Sequence, residues 1–105
     1  ILNGAMKVNF SGSMETIPAE FALLQNYPNP FNPSTTISYN LPKQAMVEIS
    51  VFNALGERVA TLVNELKEAG RYNVELNAAG YSSGIYFYQI KANDFVSVKK
   101  MILMK

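Results

Sequence analysis

Val47-Glu48-Ile49-Ser50-Val51-Phe52-Asn53-Ala54-Leu55-Gly56 is the stretch that decides the fold. Val47, Ile49 and Val51 alternate with Glu48 and Ser50. An extended chain turns successive side chains to opposite faces, so this stretch makes a strand with one apolar face. Gly56 ends it. Lacking a Cβ, glycine accepts the positive φ that a type I turn followed by a left-handed residue requires, so Asn53–Gly56 reads as a hairpin loop.

The same period runs outward in both directions. Ile37, Tyr39 and Leu41 alternate with polar neighbours before Pro42-Lys43 closes the strand. Tyr72, Val74 and Leu76 alternate again after Ala69-Gly70. Asn77-Ala78-Ala79-Gly80 and Ser82-Ser83-Gly84 lead into Ile85-Tyr86-Phe87-Tyr88-Gln89-Ile90. That run carries bulk on both faces, as expected of a central strand covered on both sides. Asn93-Asp94 then separates it from Phe95-Val96-Ser97-Val98, the pattern of a tight hairpin. One stretch departs from the period: Val59, Leu62, Val63 and Leu66 stand at i, i+3, i+4 and i+7, which is helical spacing. Its flanks are strands and its first half is β-branched, so the reading is a strand over about 57–63 followed by an exposed bend.

Upstream lies Phe21-Ala22-Leu23-Leu24-Gln25-Asn26-Tyr27-Pro28-Asn29-Pro30-Phe31-Asn32-Pro33-Ser34. Pro28, Pro30 and Pro33 fix φ and push each preceding residue toward extended geometry. Tyr27 and Phe31 are expected to pin this stiff lead-in onto the core. Residues 1–20 read as a linker or the tail of a preceding domain, with Val8 and Phe10 suited to one short strand and Asn9-Phe10-Ser11 a glycosylation sequon only in a suitable host. The sum is about six or seven short strands without crossover helices. The expected fold is all-β, an immunoglobulin-like antiparallel sandwich of about seven strands, with a small barrel as the alternative.

Composition bounds the chemistry. The 105 residues contain no cysteine and no histidine, which removes disulfides, thiolate nucleophiles, Cys/His zinc sites and imidazole bases. The glutamates Glu48, Glu57, Glu65, Glu68 and Glu75 are scattered, and the chain has one aspartate, Asp94, so neither a glycosidase pair nor a calcium loop is indicated. Ser97 and Lys99 share a strand face, and read as surface decoration. No enzyme activity and no cofactor or metal are expected. A glycan platform would need exposed rings from Tyr86, Tyr88 or Phe87, whereas a central strand would bury them. Net charge is +1, too small to recruit nucleic acid, and no apolar run is long enough for a membrane helix. Yet residues 1–90 carry five Lys/Arg against seven Glu, while residues 91–105 carry Lys91, Lys99, Lys100 and Lys105 against Asp94 alone. The basic charge lies at the end.

Taken together, the segments match a known pattern. Leu24-Gln25-Asn26-Tyr27-Pro28-Asn29-Pro30-Phe31-Asn32-Pro33-Ser34-Thr35-Thr36-Ile37 resembles the opening of the type A C-terminal sorting domains of type IX secretion. So, in order, do Phe52-Asn53-Ala54-Leu55-Gly56, Ala69-Gly70-Arg71-Tyr72, Ser83-Gly84-Ile85-Tyr86-Phe87-Tyr88 and Lys99-Lys100-Met101-Ile102-Leu103-Met104-Lys105. The likeness covers about residues 21–105, and Leu76 stands where many relatives carry Trp.

The resemblance implies that residues 21–105 sort an upstream cargo domain through the type IX outer-membrane translocon. The route is periplasmic transit, then release or attachment at the cell surface, with removal by a sortase-like C-terminal signal peptidase. Cleavage is expected before the proline-rich segment, in about residues 11–22. Lys99, Lys100, Met101, Ile102, Leu103, Met104 and Lys105 are the expected recognition element, since a terminal strand can offer an unpaired edge or a charged tail. Pro28, Pro30, Phe31, Pro33, Gly56, Gly70, Gly84 and Tyr86 are the expected structural motif. Two rivals are an immunoglobulin-like assembly module resembling that of the flagellar hook-capping protein and a carbohydrate-binding module of a secreted hydrolase.

Overall fold

The computed structural model describes residues 17–105, and the readings placed on Val8, Asn9 and Phe10 lie outside them. Seven strands follow in order: β1 (Ala22–Leu23), β2 (Ser34–Leu41), β3 (Ala45–Asn53), β4 (Arg58–Lys67), β5 (Gly70–Asn77), β6 (Gly84–Ala92) and β7 (Phe95–Leu103). They form a three-stranded sheet, β1-β2-β5, and a four-stranded sheet, β4-β3-β6-β7, with every strand pair antiparallel. Among the described residues there is no helix. This is the expected immunoglobulin-like sandwich, with the fourth strand joined to the sheet of β3, β6 and β7.

The alternation seen in sequence becomes the core. β2 contributes Ile37, Tyr39 and Leu41; β3 contributes Val47, Ile49 and Val51; β6 and β7 contribute Tyr88, Ile90, Met101 and Leu103; all are buried. Burying each such aliphatic side chain contributes roughly 1.5–3 kcal/mol, so these inward rows dominate the favourable side of folding. Leu76, at the position where the resembled family often has Trp, is also a core residue. It pairs with buried Thr35 across β2 and β5, and four positions along the same ladder Tyr39 and Tyr72 stack at 5.3 Å.

The turns use the residues their backbone requires. Gly56 takes φ +88° at the β3–β4 turn, and the Asn53 side-chain oxygen accepts from the amides of Leu55 and Glu57, each at 3.0 Å. Asn93, at φ +55°, turns β6 into β7, as its type tolerates better than most.

Three expectations need correction. β4 does not stop near residue 63 but runs to Lys67, with the bend at Glu68-Ala69. Its ladder to β3 skips Leu62, between the pairs Ile49–Val63 and Ser50–Thr61, and skips Val59, between Val51–Ala60 and Phe52–Arg58. Each skipped residue is a bulge that sets two residues against one, so the period-two pattern breaks and apolar residues fall at spacing that mimics a helix. Tyr27 does not pin the lead-in: it is 81% exposed, and Phe31, at 2%, carries that duty alone. Finally, β6 is central but buried on one face only. Tyr86, Tyr88, Ile90 and Ala92 point inward while Ile85 and Lys91 are exposed and Phe87 is half-buried.

Candidate recognition site

The lead-in carries the chain from one sheet to the other. From β1 it continues along β2, with Leu24 N–H donating to Ser38 O at 3.0 Å and Tyr27 and Thr36 exchanging backbone bonds of 3.0 and 2.9 Å. It then turns through Pro28, Pro30 and Pro33, whose preceding peptide bonds are cis, and reaches β7. There Phe31 forms a parallel bridge with Leu103. Phe31 N–H donates to Ile102 O at 2.9 Å and Met104 N–H to Phe31 O at 3.0 Å. A proline-rich segment suits the crossing because its missing amides need no partners.

Polar side chains from the same segment secure the crossing. Asn26, 2% exposed, donates from its side-chain nitrogen to Thr35 Oγ1 at 2.9 Å and to Pro28 O at 3.1 Å. Its backbone N–H donates to the Tyr88 hydroxyl at 2.7 Å, and that hydroxyl donates to Leu24 O at 2.7 Å. Burial pushes the Tyr88 phenol up to about 12, with the Asn26 backbone bond acting in the opposite direction. Gln25 Nε2 donates to Lys100 O at 2.8 Å, and Ile102 N–H donates to Asn29 Oδ1 at 3.0 Å.

The expected recognition element therefore divides by face. Met101 and Leu103 are core residues, Lys99 and Ile102 are half-buried, and Lys100, Met104 and Lys105 are exposed. Lys99 and Lys100 lie on opposite faces of β7, opposite Tyr88 and Phe87 respectively. Lys105 folds back over the β5–β6 loop, where its N–H donates to Ser83 Oγ at 3.1 Å and its ammonium to Ala79 O at 2.7 Å. Among the described residues, none of Lys91, Lys99, Lys100 and Lys105 stands in an ion pair; the pairs present are Arg58–Glu48 at 3.7 Å and Lys67–Glu65 at 2.7 Å.

The motif residues build the frame around this strand. Tyr86, the third residue of β6, donates its hydroxyl to Ser82 O at 2.7 Å and stacks on Tyr81 at 5.5 Å. A tyrosine tying the start of this strand to the preceding corner is a known device of immunoglobulin-like sandwiches. Gly84, at φ +149°, opens β6 opposite Leu103. Gly56 shapes the neighbouring turn, and the groove between the two loops, about 280 Å³, is lined by Leu55, Ser83, Gly84 and Ile85 among others. Gly70 heads β5 against the Tyr72 ring. The Tyr86 and Tyr88 rings face the core with their hydroxyls already bonded, which leaves Phe87 as the only ring of that run turned outward, beside Phe52 on the outer sheet face. Among the described residues, no group of three His, Cys, Asp or Glu side chains could hold a metal, and no helix is long and apolar enough to cross a membrane.

Sequence reading did not find Gln25, Asn26 and Asn29 as partners of β6 and β7. They stand in the quoted motif, but their partners lie 62 to 75 residues away and no local signal marks them.

An immunoglobulin-like module whose terminal strand forms a sheet edge, capped in part by a proline-rich crossing, defines the class. Residues 25–104 match the family described as the secretion system C-terminal sorting domain, and the chain belongs to that family, the sorting domains of type IX secretion. No curated protein and no solved structure matches the chain. The family is one of sorting signals rather than enzymes, and its members direct export to the cell surface or beyond.

Proposed function

We propose that residues 21–105 carry an upstream cargo from the periplasm through the type IX outer-membrane translocon, which reads the exposed part of Lys99–Lys105, and that a sortase-like peptidase then removes the domain. Family membership supports export as the role. The observation that carries the assignment to β7 is its place at the edge of the four-stranded sheet, with Lys100 exposed and outside any ion pair among the described residues. Met101 and Leu103 serve recognition indirectly, by holding the strand in place from the core. The peptidase acts in about residues 11–22, no further than the first residue of β1, so cleavage leaves the crossing and β7 intact.

Charge reversal of both lysines, Lys99→Glu with Lys100→Glu, tests the reading. Export of a fused reporter is abolished while the fold persists; unchanged export overturns the assignment of recognition to these residues. N-terminal mapping of the released domain tests the cleavage position, and a new terminus within or after Pro28–Pro33 contradicts it.

A further inference from the structure

The edge of β7 is capped over only part of its length. In an antiparallel ladder, alternate residues bond the neighbouring strand and the others turn their N–H and C=O groups away from it. Lys100 O, Ile102 N–H and Ile102 O are met from outside by Gln25, Asn29 and Phe31, so Lys100 and Ile102 belong to the outward-turned set. The β6–β7 register is unbroken from Ala92–Phe95 to Gly84–Leu103, so Val96 and Val98 belong to it too. Among the described residues nothing meets their backbone groups from outside. The free stretch is thus the N–H and C=O of Val96 and Val98 and the N–H of Lys100.

The other sheet edges are blunted. β4 carries two bulges, at Val59 and Leu62, and β1 is two residues long. β5 shows exposed Arg71, Asn73 and Glu75 along its length. The Val96–Lys100 edge has no register shift, and Val96 and Val98 are 55% and 53% exposed. An unbulged edge with exposed apolar side chains is a template for another strand.

We infer that the Val96–Lys100 edge of β7 receives an extended segment of the secretion machinery, one that sets apolar residues beside Val96 and Val98 and carboxylates beside Lys99 and Lys100. This rests on the sorting reading and adds how β7 is read. The apolar residues pack on Val96 and Val98. The carboxylates meet Lys100, next in the outer row after Val96 and Val98, and Lys99 on the opposite face. A second copy fits less well. Two-fold antiparallel pairing about Val98 would set Lys99 opposite Ser97 and Lys100 opposite Val96, so neither lysine would meet a carboxylate.

Proline substitution separates backbone from side-chain reading. Val96→Pro and Val98→Pro each remove an outward N–H without touching a bond to β6, a position where edge strands tolerate proline. Melting within about 5 °C of the parent shows the fold intact. Reporter export by either variant then falls about tenfold or more, a loss equivalent to one or more decades in binding, and Val98→Thr, which keeps the N–H, exports well. Full export of both folded proline variants, with Lys99→Glu/Lys100→Glu blocked, overturns strand addition and leaves the sorting reading standing. Failure of the unmodified domain to export overturns the sorting reading itself.

If a proline variant does not fold, the unmodified domain supplies the test through amide exchange with and without solubilised type IX translocon. The Val96 and Val98 amides exchange rapidly in the free domain and slow at least tenfold in the complex; a complex that leaves them fast overturns the inference. Concentration-dependent dimers of the free domain with those amides protected assign the edge to a second copy and overturn it equally.

Discussion

The Tyr88 hydroxyl, on the central strand of one sheet, accepts the backbone N–H of Asn26, in the crossing from the other, at 2.7 Å. The same hydroxyl donates to Leu24 O at 2.7 Å, so one buried phenol closes two backbone groups that lie between the Leu24–Ser38 and Tyr27–Thr36 bonds to β2. The crossing in turn caps Lys100 and Ile102 on β7. Tyr88 thereby links the core to the edge formed by β7.

Tyr88→Phe keeps the ring and deletes both bonds, leaving the buried Asn26 N–H and the partly buried Leu24 C=O without that partner. Such orphaned groups cost about 1–3 kcal/mol. We expect a loss of about 2 kcal/mol in urea unfolding, together with faster amide exchange at Asn26. Unchanged stability and protection would remove Tyr88 from this role.

The same residue sets an alkaline limit. Burial raises the Tyr88 phenol from 10.0 to about 12. The folded state therefore prefers the neutral phenol, and its contribution is fully present below the unfolded value and is lost as pH rises through the folded one. Unfolding free energy falls between about pH 10 and 12. Tyr39, also raised by burial, adds a fall of the same sign that Tyr88→Phe retains. A Tyr88→Phe variant with the full parental fall contradicts the assignment to Tyr88.

Ser50 is 2% exposed on β3, and its hydroxyl has no hydrogen-bond partner among the described residues. A buried polar atom without a partner costs stability that an apolar replacement avoids. Ser50→Ala is expected to raise the unfolding free energy by about 1 kcal/mol. Destabilisation of that size would mean that the hydroxyl is satisfied in solution.

The β3–β4 turn rests on Asn53 and Gly56. Asn53 bonds the amides of Leu55 and Glu57 and donates to the Glu57 carboxylate at 2.8 Å. Gly56 sits at φ +88° with open space around it, so a Cβ there meets backbone strain rather than a clash. Asn53→Ala and Gly56→Ala should each cost about 1 kcal/mol in thermal unfolding, with Gly56→Asn milder than Gly56→Ala. Equal effects of alanine and asparagine at 56 would exclude the backbone explanation.

What could be read in the sequence follows from locality. β2, β3 and β5 were legible because Ile37/Tyr39/Leu41, Val47/Ile49/Val51 and Tyr72/Val74/Leu76 hold an unbroken period of two. β4 was legible only to about residue 63, because the bulges at Val59 and Leu62 change the phase of its apolar residues. β1 has two residues and no period at all. Of two aromatics in one motif, composition could not distinguish exposed Tyr27 from buried Phe31, since the parallel bridge to Leu103 decides it from 72 residues away. The opposite facing of Lys99 and Lys100 was legible from alternation; the capping of half the β7 edge by Gln25, Asn29 and Phe31 was not, being made entirely of distant contacts.

Residues 96–105 include the core side chains Met101 and Leu103, so deleting them tests folding as much as sorting. The direct measurement keeps the domain whole: a periplasm-targeted fluorescent reporter fused to residues 15–105, in a host with type IX machinery and in its translocon-null derivative. Reporter in the medium or on the surface of the first, and confined to the periplasm of the second, is the predicted result. Retention of the folded fusion in both strains, with a native cargo exported normally, would contradict the account.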